Sequence, residues 1–271
     1  MVNKMNTILQ DRKEAGCRLA SKLTAYFNHP QAIVLGLPRG GVPVAHEVAR
    51  ILNLPLDVCL VKKLGLPWNR EVAVGVVAED SLLPNYTGNI TIIDEKKPQL
   101  YGLDGETLKA IAATAKAELQ WRDRTYRHYR PMLPISERIV IVVDDGIATG
   151  LTMRAVVKVL HQHQPQKIII VAPIASIDAI ERLRSEVDEI ICLVTPQFGA
   201  ISLWYRDYCQ INDRVVCDLL SQETQIVSNN RSETTKYADS SKYATPTTKS
   251  FQNVKSEHQK QKDRAQSLLA R

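Results

Sequence analysis

The sequence predicts an α/β fold: a mainly parallel twisted sheet flanked by helices, with a helical insertion or hood and a disordered C-terminal tail. Three observations predict it. Short aliphatic runs alternate with stretches whose apolar residues recur every three or four positions, as βαβ units require. Few polar residues interrupt those runs, so the strands expect burial on both faces, the habit of parallel sheets. After Leu219-Leu220 the chain turns polar and rich in Ser and Thr, and cannot bury enough apolar surface to offset its ordering entropy. The chain thus divides into a globular part, residues 1–221, and a polar basic tail, 222–271, with a weak helical pattern returning near Val254 to Leu269.

The elements follow in order. Asp11 to Phe27 reads as a helix, with Ala15, Leu19 and Leu23 every four residues. Ala32 to Gly36 is a continuous apolar strand, broken by Pro38-Arg39-Gly40-Gly41 and followed by a helix from Val42 to Leu52. Leu56 to Val61, Val72 to Ala78 and Ile90 to Ile93 read as strands, and Leu103 to Tyr129 as a long helical region, Ala-rich and then Arg-rich. Ile139 to Val143 is a β-branched strand ending in Asp144-Asp145-Gly146. A helix at Leu151 to His161, a strand at Lys167 to Val171, a helix at Ser176 to Glu186 and a strand at Glu189 to Val194 complete the alternation. Asn212 to Leu220 closes the globular part as a helix capped by Asn212.

Composition excludes several classes. Hydrophobic residues are 44% and charged residues 24%, ordinary for a globular chain. No apolar run approaches the roughly 18 residues a membrane helix needs. The N-terminal segment lacks the apolar core of a signal peptide. Five cysteines, an odd count with no CxxC pair, argue against a disulfide framework or zinc site and for a cytoplasmic location. Residues 222–271 carry nine Lys and Arg against five Asp and Glu, so most of the net charge of +6 sits in the tail. A nearly neutral globular part predicts no specific nucleic-acid partner, and the tail is read as a solvated appendage.

Ligands of such a sheet bind beyond the carboxyl ends of its strands, which directs attention to three segments, Asp144 to Thr152, Leu37 to Val42 and Lys62 to Arg70. The first lies within Val140 to Thr152, where an aliphatic strand exits into Asp144-Asp145 and a small-residue loop, Ala148-Thr149-Gly150-Leu151-Thr152, feeds a helix. Backbone amides of that loop can close on a phosphate at a helix N-terminus, with Thr149 and Thr152 adding hydroxyl donors. Asp144 and Asp145 suit polyol hydroxyls or a hydrated Mg²⁺ beside it. Phosphate, polyol and metal together describe a ribose 5-phosphate derivative.

This stretch resembles the signature of the type I phosphoribosyltransferases, which bind 5-phosphoribosyl 1-diphosphate (PRPP); Gly146 departs mildly from the aliphatic residue many members carry. The resemblance covers about residues 10–220 and is closest to a bacterial branch carrying Leu-Pro-Arg-Gly-Gly and Trp-Tyr-x-Asp motifs, here Leu37 to Gly41 and Trp204 to Asp207. It implies that Ala148, Thr149, Gly150, Leu151 and Thr152 hold the 5′-phosphate. It makes Arg39, Gly40 and Gly41 a pyrophosphate loop, in which glycines admit an anion closely and Arg39 supplies a fork of donors. It puts Lys62 or Lys63, leaving the next strand, on the diphosphate. Asp144, Asp145, Lys62 and Lys63 are thus the expected catalytic residues, with Mg²⁺ as cofactor near the two aspartates.

Two further segments are less specific. Trp121 to Pro131, dense in Arg and aromatics, reads either as a lid carrying Arg to the diphosphate or as an exposed charged helix. Past the last strand, Phe198, Trp204, Tyr205 and Asp207 are available to hold a base, or form a small core under a loop. The histidines carry no signal: His46 reads as helix surface, and His161 and His163 sit at a helix end. The implied function is transfer of the 5-phosphoribosyl group from PRPP to a nitrogenous base by a homodimer, with a PRPP-sensing regulator or a ribose-phosphate hydrolase as the rival readings.

Overall fold

The computed structural model describes residues 8–80, 88–94, 96–128, 132–197 and 199–222. Five strands form one sheet: β1 (Ala32–Gly36), β2 (Leu56–Val58), β6 (Ile139–Val143), β7 (Lys167–Ile174) and β8 (Glu189–Val194). All are parallel, in the order β2-β1-β6-β7-β8. Every residue of β1 and β6 is buried, as their unbroken apolar runs require. Helices α1 (Arg12–Ala20) and α2 (Gly41–Leu52) pack on one face, around Leu19, Val44, Val48 and Ile141. Helices α5 (Leu151–Gln162) and α6 (Ile177–Leu183) cover the other, around Val140, Val156, Leu160 and Ile170.

The chain winds outward in both directions from the β1–β6 pair, so the sheet changes direction there. In open α/β sheets a ligand crevice lies at such a point, beyond the carboxyl ends of the strands. The loops leaving β1 and β6 are therefore the ones the fold places for function.

The five-stranded sheet is the mainly parallel one the sequence predicts, and a smaller second sheet stands beside it. The run Leu56 to Val61 splits into β2 and β3 (Val61–Leu66), and β3 joins β4 (Asn69–Asp80) and β5 (Gly88–Ile93) in an antiparallel sheet, β3-β4-β5. The two-residue Pro67-Trp68 connection lets β3 and β4 pair as a hairpin, Leu66 opposite Asn69. One face of this sheet, with Val61, Val76 and Ala78, joins the core under α5. Its other face, with Leu64 and Val77, is covered by α4 (Gly105–Arg127) and by a last helix, α7 (213–222). Together α4 and α7 make the hood, packed on each other through Ala115, Leu119, Tyr126, Val216 and Leu220.

Local signals set the helix ends. Asp11 caps α1, Asp104 caps α4, Ser176 caps α6 and Asn212 caps α7, each side chain accepting a backbone N–H three residues on. The first helix stops at Ala20 rather than Phe27: the chain tightens to i→i−3 bonds at Lys22 and Leu23, and a 3₁₀ turn (Thr24–Tyr26) follows. The Arg-rich end of α4 is neither a free lid nor an exposed helix. Arg127 is 1% exposed and donates to Asp57 Oδ1 (3.2 Å) and the Val58 carbonyl (2.7 Å), tying the hood to β2. A short helix, α3 (Lys97–Leu100), precedes α4. His46 is buried against Glu47 rather than on the helix surface, 3.8 Å from its carboxylate. Among the described residues no helix is long and apolar enough to cross a membrane. The tail expected to be disordered lies outside the described residues from 223 onward.

Close approach of α1 to α2 rests on Gly16. A Cβ there would lie 2.6 Å from Glu47 Cβ and 2.7 Å from the Val44 carbonyl oxygen. Gly16→Ala is expected to destabilise the fold by about 1–3 kcal/mol through overpacking, despite its better helix propensity. Urea unfolding measures it.

Candidate active site

The crevice between β1 and β6 opens into a cleft of about 960 Å³. Its floor is the Asp144-Asp145 pair. The Asp144 amide donates to Val171 O on β7 (3.1 Å), and the Asp145 amide donates to Asp144 Oδ1 (2.8 Å). Asp144 keeps part of its surface in the cleft but is otherwise enclosed. Burial, and then the charge of Asp145, push its carboxyl well above the usual carboxylate range, with Lys63 opposing them.

Asp145 is held by a residue the sequence reading missed. Arg12, in the first turn of α1, donates Nε and Nη2 to Asp145 Oδ2, both at 2.8 Å. Its Nη1 donates to the Cys209 carbonyl (2.9 Å), and the guanidinium lies 4.0 Å from the Tyr208 ring centre. With side chains 9% and 12% exposed, this is a buried ion pair whose partners are 133 residues apart. No local pattern around Arg12 announces it.

On one side of the pair runs the loop 148–152. Ser176 Oγ donates to the Ala148 carbonyl (2.6 Å) and Arg182 Nη1 to the Thr149 carbonyl (3.3 Å). In a trans peptide the next N–H points the opposite way, so the Thr149 and Gly150 amides face away from α6. Neither has an acceptor among the described residues. Gly150, at φ +76°, is the N-cap of α5. Ala148, Thr149, Gly150 and Thr152 line the cleft; Leu151 instead packs against the main core.

On the other side runs the loop after β1. Leu37 N donates to the Val143 carbonyl (2.9 Å), locking this loop to the strand of the Asp-Asp pair. A Cβ on Gly40 would lie 2.0 Å from Asp145 Oδ2, and one on Gly41 2.7 Å from the Val143 carbonyl oxygen. The glycines thus let two loops touch. The expectation that both turn their amides to an anion is corrected at Gly41, which lies outside the cleft lining and donates its amide to Leu37 O (3.0 Å). Arg39 and Gly40 line the cleft. The Pro38-Arg39 peptide is cis.

Lys62 and Lys63 both line the cleft from β3. Lys63 is the cation that acts on Asp144, while Lys62 pairs with Glu118 of α4 at 2.8 Å. Helix α4 contributes a wall of Thr107, Ile111, Thr114 and Glu118, one helical face.

Of the two readings of the aromatic segment, base-holding or a small core under a loop, the described residues fit the small core. Trp204, Tyr205 and Asp207 do not line the cleft. The segment runs beside the chain's first described residues, Arg206 N donating to Leu9 O (2.8 Å) and Asp207 N to Gln10 O (2.9 Å). That pairing turns Tyr205 into a small core with Leu9, Ala15 and Ile174, where its hydroxyl donates to the Asp145 carbonyl (2.8 Å). Trp204 packs on the same cluster, and Asp207 is exposed and accepts from Cys209 N (3.2 Å). Phe198 lies outside the described residues. Ile201, Tyr208, Gln210 and Ile211 line the cleft instead. Ile201 also accounts for Gly146, where a Cβ would lie 2.3 Å from Ile201 Cγ2.

Among the described residues no group of three or more His, Cys, Asp or Glu side chains is placed to hold a metal. Asp144 and Asp145 offer two carboxylates, which fits Mg²⁺ in its usual mode, held by one or two carboxylates plus phosphate oxygens of a substrate.

Comparison with known proteins points the same way. Residues 5–95 and 110–205 match the family described as phosphoribosyl transferase domain. The chain is 38% identical over 216 residues to a protein of two Mycobacterium tuberculosis strains, provisionally named a phosphoribosyl transferase; the match covers 79% of this chain and 47% of that one. This chain thus spans about half the length of the curated relatives it matches. A crystal structure of a Thermus thermophilus protein superposes with a TM-score of 0.62 at 37% identity, covering 79% of this chain and 97% of the other.

Proposed function

The chain belongs to the phosphoribosyl transferase domain family, and on that premise we propose that it transfers the 5-phosphoribosyl group from PRPP to a nitrogenous base, with release of pyrophosphate. The observation that carries this reading is the convergence in one cleft of two phosphate-type loops on either side of a carboxylate pair, with three cations, Arg39, Lys62 and Lys63, on one side of it. Loop 148–152 binds the unreactive 5′-phosphate through amides and the Thr149 and Thr152 hydroxyls. Asp144 and Asp145 accept from the ribose hydroxyls. Arg39, Lys62 and Lys63 bind the diphosphate.

In the reaction the C1–O bond to diphosphate breaks with its electron pair, and a bond forms from C1 to a ring nitrogen of the base, which gives up its proton. Positive charge grows on the sugar ring and negative charge on the leaving group. Fixed cations at the diphosphate therefore stabilise the transition state more than the ground state. Asp144 and Asp145, with the diphosphate oxygens, would hold Mg²⁺, which supplies further positive charge at the leaving group when bound. The acceptor wall is formed by Ile201, Tyr208 and Ile211, with Gln210, Thr107 and Thr114 as polar groups. A site of this chemistry suits a cytoplasmic metabolic enzyme, and we propose a homodimer.

Thermal melting tests the reading. PRPP with Mg²⁺ at 100 times its dissociation constant stabilises by about 2.7 kcal/mol, roughly 5–10 °C for a domain of this size. Asp144→Asn should abolish that shift while leaving the unliganded protein as stable or more so at pH 8. A carboxyl raised in the fold holds its proton more tightly there than in the unfolded chain. Its stability contribution is therefore present at acid pH and lost as pH rises through the raised value. The uncharged Asn avoids that loss, so its advantage should shrink as pH falls. A PRPP shift that survives Asp144→Asn would remove the ribose contact from the proposal.

A further inference from the structure

Two of the three cations assigned to the diphosphate are paired with carboxylates of the hood. Lys62 Nζ is 2.8 Å from Glu118 Oε1 on α4, and Arg39 Nη1 is 3.4 Å from Asp213 Oδ2 at the start of α7. These side chains are 28–40% exposed, and exposed pairs of this kind are weak. Each carboxylate also has a second partner inside the hood. Arg122 Nη2 lies 2.7 Å from Glu118 Oε1, and the Tyr126 hydroxyl donates to Asp213 Oδ1. Glu118 and Asp213 therefore each stay partnered if the cation across the cleft turns away. Losing Lys62 or Arg39 would not strand a carboxylate, the usual obstacle to breaking an ion pair.

We infer that Glu118 and Asp213 are positioning residues that stand in for the diphosphate, holding Lys62 and Arg39 from the hood and giving them up when diphosphate binds. The inference rests on the phosphoribosyl-transfer reading above. A diphosphate seated on the two cations brings several negative charges beside both carboxylates. The hood must then swing its carboxylates away or bear the repulsion. Either way binding is weakened, and the released pyrophosphate leaves more easily. The two carboxylates sit on helices that share one apolar cluster, with Tyr126 and Val216 in it.

The test is titration calorimetry of the full chain with inorganic pyrophosphate and Mg²⁺ at low salt. Glu118→Gln and Asp213→Asn, nearly isosteric, should each tighten binding by about two- to fivefold, the worth of one exposed charge pair, and the gain should fade at high salt. Glu118→Asp, which keeps the charge, should restore wild-type affinity. Glu106→Gln removes the same charge from α4 about 18 Å away along the helix, at an exposed residue paired with Lys109, and should change nothing. Unchanged or weaker binding in Glu118→Gln and Asp213→Asn, with the wild type binding normally, overturns the inference and leaves the transferase reading standing. Equal tightening by Glu106→Gln also overturns it. Failure of the wild type and every variant to bind pyrophosphate would overturn the transferase reading itself, and the inference with it.

Discussion

Asp145→Ala is expected to cost about 3–5 kcal/mol of folding stability, because it leaves the Arg12 guanidinium buried without its counter-charge. Arg12 is 8% exposed and directs two of its nitrogens at Asp145. The remaining partners, the Cys209 carbonyl and the Tyr205 and Tyr208 rings, cannot replace a full negative charge. The double change Arg12→Met with Asp145→Leu should recover most of the loss, since a buried ion pair exchanged for apolar groups of similar volume is often neutral or better. It should not recover PRPP binding. Denaturant unfolding of the three proteins, set beside PRPP titrations, separates what Asp145 does for the fold from what it does for the ligand. Full stability in Asp145→Ala would mean that Arg12 finds water or another partner.

Lys63→Ala and Gly150→Val should divide along the two phosphate sites. In the proposed reaction Lys63 would face the charge that grows as the C1–O bond breaks, so its loss should mainly lower kcat, on the order of 10²-fold by analogy with single donors at other anion sites. Gly150 has φ +76° and would place a Cβ 3.4 Å from Ala179 Cβ. A β-branched residue in that conformation is strained and would distort the loop proposed to hold the unreactive 5′-phosphate. That change should mainly raise KM for PRPP, because it removes binding shared by ground and transition states. Steady-state kinetics on both variants decides the matter; equal losses of kcat would contradict the division.

Much of the central sheet was legible because β1, β6 and β7 are buried on both faces, and such strands write themselves as unbroken runs such as Ile139 to Val143. The loops were legible for a related reason: only small residues can stand where Gly40 and Gly41 meet the Asp-Asp strand. The antiparallel pairing of β3, β4 and β5 was not, because Leu56 to Val61 is apolar but for Asp57 and nothing local marks the break at Cys59-Leu60. Arg12, Glu118 and Asp213 were invisible for a different reason. Each is an ordinary charged residue in or at the start of a helix, and its role comes from a partner 56 to 174 residues away. The aromatic cluster was legible only as a choice between a base platform and a small core: backbone pairing with Leu9 and Gln10 turns Tyr205 into a core, and Tyr208 reaches the cleft.

The most direct measurement is pyrophosphate release from PRPP by the wild-type protein with Mg²⁺, across a panel of nucleobases, with the nucleoside monophosphate product identified by mass. Phosphoribosyl transfer requires pyrophosphate and one nucleotide to appear in equal amounts with at least one base, and requires both to vanish together in Asp144→Asn. Tight PRPP binding with no pyrophosphate release for any base would contradict the transferase account and make the cleft a sensor of PRPP.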